Sequence, residues 1–297
     1  MSQKRLIEYS GAVKRIFAFL IDMLCSFIIA VNLNNIVFTN IVRDSLNTPA
    51  IEEQYRERLI DSHLYILKDD GLCHSIDTIN QNNSMSEEEY LLYLDTQLTL
   101  FYLDEDFECS NIEQYNELKK NKEELFKYDL VLDTYIFLDN IDNETKLDFY
   151  KEAVKYSIDE VLDKDEQINK CLSQIIANSL ISLGVSFMSS MFVFFLIIPL
   201  INKNRSTIGK NMFKIGLVDL NTKEILSRQQ YTLRFIVLFL ETAVSFVCNG
   251  GVLLISFAFT IFTKNNSSLH DLVAKSMPIN LISYSKIIEE EGELACQ

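Results

Sequence analysis

Three long apolar blocks constrain this chain more than any other feature of its sequence. They are Ile16–Val42, Cys171–Ile201 and Phe235–Phe262. A helix needs about 20 apolar residues to cross the ~30 Å hydrocarbon core of a bilayer, and each block reaches that length. We therefore predict an all-α polytopic membrane protein whose first partner is the lipid bilayer.

The third block, within residues 235–263, has an internal break. Asn249-Gly250-Gly251 divides it into the pieces 235–248 and 252–262, each short for a full span. The pattern is consistent with one long kinked helix or with a tight hairpin of two short helices. We favour the hairpin, and the whole chain then has three to four spans.

Charge is distributed very unevenly along the chain. Residues 43–170 hold 32 acidic and 13 basic residues, a net charge of −19, while the remainder holds 10 acidic and 14 basic residues, a net charge of +4. We predict an acidic aqueous insert at 43–170, flanked by transmembrane helices within 1–42 and 171–201. The acidic balance argues against a nucleic-acid partner, because nucleic acids bind to clustered Lys and Arg.

The basic segments predict the orientation in the membrane. Residues 1–15 contain four basic residues and one acid, and the loop 202–234 contains seven basic residues and two acids. Short basic segments stay on the cytoplasmic side. We predict a multi-pass protein of the cell membrane with a cytoplasmic N-terminus and an extracytoplasmic insert. A hairpin in the third block returns the tail 264–297 to the cytoplasm, whereas a single span leaves it outside.

The insert has mostly helical patterns. Ser86 followed by three glutamates is typical of a helix start, and helical spacing of apolar residues predicts helices over Ile112–Tyr128 and Glu144–Asn169. A loop is predicted at 80–84. Cys73 and Cys109 could form a disulfide outside the cell, although their spacing does not require one.

A small β-hairpin is predicted in the basic loop. Met212–Leu220 looks extended, Asn221-Thr222 is a turn signal, and Lys223–Leu226 could form a returning strand.

Two acids lie inside the apolar blocks, Asp22 in the first and Glu241 in the third. An ionisable residue in hydrocarbon is costly and marks a functional site by default. Such carboxylates can exchange a proton for a cation. The alternative is a structural role, in which Asp22 bonds to Asn, Ser or Thr side chains or pairs with an Arg of another helix.

Each acid follows an arginine by seven residues, Arg15 before Asp22 and Arg234 before Glu241, and Ser-Phe follows each acid four and five residues later. The echo is either a parallel repeat of the kind found in transporters or chance. The favoured role of Arg15 and Arg234 is to snorkel to the headgroups, with binding of an anionic group as the alternative.

The tail carries Leu269-His270-Asp271-Leu272-Val273-Ala274. Adjacent residues point to different helix faces, so His270 and Asp271 do not form a dyad with each other. Asp271 is expected to cap a short helix or to tie the tail to the basic loop. Thr207-Ile208-Gly209-Lys210 is expected to be a turn with an interfacial Lys. No nucleophile elbow accompanies these motifs, so we predict no enzyme, cofactor or metal site.

Three ordered motifs together resemble a known family. They are Lys14-Arg15-Ile-Phe-Ala-Phe-Leu-Ile-Asp22, then Ser206-Thr207-Ile208-Gly209-Lys210 continuing to Asp219, then Leu269–Ala274. The chain resembles the RDD family of membrane proteins, named for one arginine and two aspartates, over Ser10–Val42 and Cys171–Met277. The resemblance implies that Arg15 and Asp22 are the first Arg and Asp, and that Asp271 is the second Asp.

The chain departs from the family pattern at two places outside these namesake residues. Ile208 stands where many relatives have Pro, and Lys275-Ser276 stands where Gly-Thr is common. The acidic insert is also outside the resemblance.

The leading functional hypothesis is transport of a small ion or solute. The resemblance implies transport, with cation/proton antiport suggested for some members, and the candidate intramembrane polar residues are Arg15, Asp22, Arg234, Glu241 and Asp271. The alternative is a non-transporting membrane protein whose insert binds a partner or senses cations. A chain with so few spans also favours a homo-oligomer.

Overall fold

A computed structural model describes residues 10–68, 71–78, 85–263 and 267–285. The expected loop at 80–84, the basic residues before residue 10 and the tail beyond 285 lie outside the described residues. The chain divides into two compact units. One contains residues up to 42 and from 180 onward, and the other contains 43–179.

Two helices are long and apolar enough to cross a membrane. They are α1, Ala12–Ser45, and a second helix, Glu166–Ile201. Only 22% of the apolar window of the first and 39% of that of the second is buried within the protein. A core helix of a soluble protein would bury most of such a surface, so the outward-facing aliphatic side chains favour a lipid environment.

Hydroxyl and amide groups join these two helices inside the first unit. The Ser26 and Ser190 hydroxyls are 2.7 Å apart, and Asn34 Oδ1 accepts hydrogen bonds from Ser182 (2.6 Å) and Ser186 (3.1 Å). Small residues let membrane helices approach closely, and hydrogen bonds across them add stability. Asn34 is the first residue of a short π-helical segment, Asn34–Phe38, within the first helix.

The second membrane helix ends around Pro199, which is preceded by a π-helical segment at Val193–Ile197. Proline has no N–H to donate to the carbonyl four residues earlier, that of Phe195. The buried Tyr231 hydroxyl donates to this carbonyl at 2.9 Å. One tyrosine thereby ties the next helix to the irregular end of this one.

The third apolar block forms two helices, Arg228–Val247 and Gly251–Phe262. Gly250 joins them with φ of +84°, a conformation that suits glycine. The Leu253 N–H donates to the Ser245 hydroxyl across the turn at 3.0 Å. The block thus forms two separate helices, since the chain breaks its helical hydrogen bonding at the turn.

The predicted β-hairpin of the basic loop is wrong in its pairing. Ile215–Asp219 is a strand, as expected, but its antiparallel partner is Ser276–Asn280 in the tail. Residues 223–226 contribute only an isolated bridge between Val218 and Ile225. All five residues of the first strand are buried, so it needs a partner of matching length, and the tail supplies one.

The unit 43–179 is mostly helical and has its own core. Its helices are Thr48–Asp61, Glu87–Leu103, Ile112–Lys120 and Asn143–Tyr156, and its two hairpins pair Tyr65–Lys68 with Gly71–His74 and Phe126–Asp129 with Thr134–Phe137. Ser86 caps its helix as predicted, with Glu89 completing the capping box. Packed aromatic rings dominate the core. For example, Tyr102 stacks on Tyr115 with ring centroids 5.3 Å apart.

Two sequence expectations for this unit need correction. The helix predicted over 112–128 stops at Lys120, because Asn121 and the residues after it form a turn into the strand Phe126–Asp129. The helix predicted over 144–169 is interrupted at 157–164 by π and 3₁₀ segments before the long membrane helix begins. Cys73 and Cys109 are free thiols.

Candidate functional site

The first membrane helix buries a narrow stripe that carries Arg15 and Asp22. Its buried residues are Arg15, Ala18, Asp22, Ser26 and Ala30. They recur every three to four positions, so they lie on one face. Arg15 and Asp22 face the rest of the unit together but find different partners.

Asp22 closes the start of a short helix, Ile208–Met212. Its Oδ1 accepts the Gly209 N–H at 2.7 Å, and its Oδ2 accepts the Thr207 hydroxyl. A Cβ on Gly209 would lie 2.2 Å from the Ala18 carbonyl oxygen, so only glycine permits this approach. Both carboxylate oxygens are occupied, and Asp22 is 1% exposed. Asp22 thus has the hydroxyl partner that was expected for a structural role.

Arg15 and Arg234 both bind Asp271. Arg234 Nε donates to Oδ1 at 2.7 Å, and Arg15 Nη2 donates to Oδ2. All three side chains are buried, so the expectation that the two arginines snorkel to the headgroups is wrong. The arginines bind a fully enclosed carboxylate in preference to the headgroups because a charge-assisted pair is strong where water is excluded.

Asp271 also anchors its own segment. It accepts from the Ser268 hydroxyl (2.7 Å), from the Ser268 N–H (3.3 Å) and from the Ser276 hydroxyl (3.1 Å). Burial alone would raise the pKa of Asp271, but Arg234 and Arg15 hold it well below its usual range. Asp271 is therefore an ionised acceptor, and it both starts the helix Leu269–Val273 and ties the tail to two other helices.

Glu241 pairs with His270. Its Oε2 lies 3.1 Å from His270 Nδ1, and its Oε1 is buried without a hydrogen-bond partner. The other ring nitrogen, Nε2, lies 2.8 Å from the Ser268 hydroxyl. Burial and the nearby Arg234 lower the pKa of His270. A buried carboxylate oxygen without a donor is costly, and it marks Glu241 as chemically different from Asp22.

A cavity of about 40 Å³ lies beside these groups. Its ionisable lining residues are Arg15, Lys210, Arg234 and His270. Lys210 is buried, so the expectation of an interfacial lysine is wrong. Burial, with a further contribution from Arg234, lowers the pKa of Lys210 to about 7.

The predicted residues therefore lie in one buried cluster but not as one site. Arg15, Arg234 and Asp271 meet directly, whereas Asp22 and Glu241 bind to separate partners. Whether the Arg-to-acid echo is a true repeat stays a prediction, although its two arginines do converge on one carboxylate. In the described residues no group of three or more His, Cys, Asp or Glu side chains could hold a metal ion.

Sequence reasoning missed the groups that satisfy these charges. They are Thr207, Ser268, His270 and Ser276. Ser268 had a detectable signal, because Ser followed three residues later by an acid is typical of a helix start. Thr207 and His270 pair with Asp22 and Glu241 across 185 and 29 residues, which no local pattern reveals, whereas Ser276 is only five residues from Asp271.

The comparison with protein families bears on this cluster. Residues 163–275 match the model of the RDD family. The match confirms the resemblance for the second and third motifs, whereas the first motif, Lys14–Asp22, is outside the matched residues. The RDD match includes Thr207, Arg234, Glu241 and Asp271, while Arg15 and Asp22 precede it in the sequence.

Arg15 and Asp22 nevertheless bind to residues of the RDD-matched segment. Arg15 binds Asp271 and Asp22 binds the Thr207–Gly209 segment, so the first helix completes the matched part. The acidic unit 43–179 separates the two in sequence. No curated protein and no solved structure matches the chain.

Proposed function

We propose that this RDD-type membrane protein transports a small ion, and that the Glu241–His270 pair exchanges the coupled proton. The observation that carries the proposal is the buried, unpartnered Oε1 of Glu241 on a helix of the membrane unit. A carboxylate that keeps a free oxygen in a low-dielectric site can gain and lose a proton without breaking the fold.

The pairing pattern favours Glu241 over Asp22 as the exchanging group. Asp22 accepts hydrogen bonds at both oxygens, and Asp271 binds two arginines. Protonating either would break several bonds at once. Glu241 has one neutral-capable partner, His270, so its protonation changes fewer contacts.

The proposed topology has both ends in the cytoplasm. The contact between Arg234 and Asp271 supports it, since Arg234 is near the start of the first hairpin helix and Asp271 follows the end of the second. Both ends of the hairpin then face one side, which the basic loop 202–234 makes cytoplasmic. Assembly as a homo-oligomer, and a non-enzymatic role, remain part of the proposal.

Proton flux in vesicles tests this function. Everted vesicles that contain wild type, Glu241→Gln or Asp22→Asn are energised. Na⁺, K⁺ and Li⁺ are then added in turn, because the resemblance implies cation/proton antiport. Replacement of chloride by gluconate tests whether an anion is transported. Cation- or anion-dependent flux in wild type that is lost in inserted Glu241→Gln supports the proposal. Flux that is unaffected by Glu241→Gln, or absent with every ion, contradicts it.

One observation favours the second candidate, a partner-binding insert. The hairpin tip at Leu130, Val131 and Leu132 is apolar and 88%, 92% and 63% exposed within an otherwise acidic unit. Exposed apolar patches of this kind mark interaction sites. If Leu130→Ser with Val131→Ser abolishes the cellular phenotype while Glu241→Gln does not, the insert is the functional part.

A further inference from the structure

The cavity beside the arginines is lined by donors that lack acceptors. Arg15 is 7% exposed, and its Nη1 has no hydrogen-bond partner. Lys210 forms no ion pair within 4 Å with any described residue. The Ser256 hydroxyl accepts from the Leu269 N–H at 3.3 Å and keeps its own proton to donate. No carboxylate lines the cavity among the described residues.

Hydrogen-bond directions around Ser268 fix the protons of the neighbouring pair. Asp271 is ionised and can only accept, so the single hydroxyl proton of Ser268 goes to Asp271. Ser268 Oγ must then accept from His270 Nε2–H. The contact between His270 Nδ1 and Glu241 Oε2 also needs a proton, which lies either on the imidazole or on the carboxyl. The pair therefore holds one shared proton and has no net charge.

This proton count leaves a charge imbalance. The groups that face the cluster come from four elements: Arg15 and Asp22 from the first helix, Lys210 from the short helix at 208–212, Tyr231, Arg234 and Glu241 from the helix at 228–247, and His270 and Asp271 from the helix at 269–273. Below the pKa of Lys210, which is about 7, three cations face two ionised carboxylates, because the Glu241–His270 pair has no net charge. One positive charge is left over, and an uncompensated buried charge is strongly unfavourable.

We propose that the cavity between Arg15, Lys210 and Ser256 binds one small inorganic anion of chloride size, together with the proton shared by Glu241 and His270. Its volume of about 40 Å³ exceeds the ~10–15 Å³ that one water needs, so the cavity has room for a small ion, and a monoatomic anion is the smallest anionic ligand that offers these donors an acceptor. The anion supplies the acceptor that Arg15 Nη1 and Ser256 lack. The binding site names an ion class for the proposed transporter but does not depend on transport taking place.

Anion binding should be linked to pH. The pKa of Lys210 is about 7 when the cavity holds no anion, so its positive charge is lost as pH rises through that value. Affinity for the anion should therefore be high below pH 7 and fall above it.

Thermal unfolding of the purified full-length protein in detergent tests the site. Chloride replaces gluconate at constant ionic strength, about one pH unit below and about one pH unit above the pKa of Lys210. A bound anion raises the unfolding temperature with a saturating dependence on its concentration. We expect a chloride-dependent rise that is much larger at the lower pH, and the same order of effect with bromide.

Variants localise the effect. Lys210→Met should weaken the apparent chloride affinity by at least about tenfold, as expected for loss of a charged hydrogen-bond donor. Ser256→Ala should weaken the chloride affinity less than Lys210→Met does. It keeps the positive charge of Lys210, so it still tests the site if Lys210→Met does not fold.

The outcomes are separable from those of the transport test. If chloride and gluconate give the same unfolding temperature at both pH values, the cavity holds water only and the anion site is wrong. An equal chloride effect in wild type, Lys210→Met and Ser256→Ala also contradicts it, because binding is then elsewhere. Specific chloride binding without any flux keeps the site and removes the transport proposal.

Discussion

Arg15 and Arg234, from two different helices, bind opposite oxygens of the same carboxylate, that of Asp271. The carboxylate is 0% exposed and lies 256 residues from Arg15 in sequence. One aspartate in the tail therefore joins the first helix to the hairpin. The family resemblance or the Arg-to-acid echo identified Arg15, Arg234 and Asp271 as candidates, and their physical role is to join these helices through two ion pairs.

Replacing Asp271 should destabilise the membrane unit strongly. Asp271→Asn keeps the volume but leaves two buried guanidinium groups without a counter-charge, and removing one partner of a buried pair costs about 3–5 kcal/mol. Thermal unfolding in detergent measures the loss. The control is Asp139→Asn, whose side chain is 93% exposed and pairs only with Lys127 at the surface. If both variants unfold at the wild-type temperature, the double pair contributes little.

The same pair predicts a direction for acid unfolding. The pKa of Asp271 is lower in the folded chain than in the unfolded chain. The ionised carboxylate therefore stabilises the fold at pH values above the pKa of the unfolded chain, and this stabilisation is lost as the pH falls to the pKa of the folded chain. Asp271→Asn should therefore lose less stability than wild type as pH is lowered below about 4.

Gly209 should tolerate no side chain. A Cβ would meet the Ala18 carbonyl oxygen at 2.2 Å and the Asp22 carboxyl carbon at 3.0 Å, so Gly209→Ala must push the helix at 208–212 away from the first helix. We expect a loss of at least about 2 kcal/mol, toward the upper end of the range for overpacking. The matched control is Gly184→Ala, where a Cβ meets nothing within 4 Å. That change should be neutral or stabilising by up to about 1 kcal/mol.

The membrane helices and one helix start within the insert were predictable because local patterns encode them. Apolar length indicated the helices at 12–45 and 166–201, and Ser86 with its glutamates indicated a helix start. The pairing of Ile215–Asp219 with the tail was not predictable from local patterns. Pairing with residues 223–226 closes a shorter loop than pairing with the tail does, so the sequence favoured the nearer strand. Choosing between these partners depends on burial of both faces, which only the folded unit reveals.

The candidate site shows the same division. Asp22 and Glu241 were identified because each is an acid within an apolar helix. No local pattern showed that both oxygens of Asp22 accept hydrogen bonds while one oxygen of Glu241 has no partner. The distinction depends on Thr207 and His270, which reach these acids from distant parts of the chain. Burial of Arg15 also could not be predicted, because snorkelling is favoured for an arginine near a helix end unless a carboxylate is provided.

Tyr231 should stabilise the irregular end of the second membrane helix. Tyr231→Phe removes only the hydroxyl that donates to the Phe195 carbonyl, to which Pro199 cannot donate. We expect a loss of about 1 kcal/mol, the usual net value of such a bond, or up to about 3 kcal/mol if the carbonyl is left unsatisfied. The control is Tyr156→Phe, whose ring is 43% exposed. Equal unfolding temperatures for Tyr231→Phe and wild type would show that the carbonyl finds another donor.

The hairpin at 228–262 should place the C-terminal strand on the same side of the membrane as the basic loop. The ion pair between Arg234 and Asp271 and the pairing of Ile215–Asp219 with Ser276–Asn280 both require it. An epitope tag after residue 297 should be unreactive to an impermeant label in intact cells, whereas a tag at the exposed tip Leu130-Val131-Leu132 should react. Both tags should react after permeabilisation. Labelling of the C-terminal tag in intact cells would show that the hairpin ends and the loop do not share the cytoplasmic side, and labelling of neither would place the acidic insert in the cytoplasm.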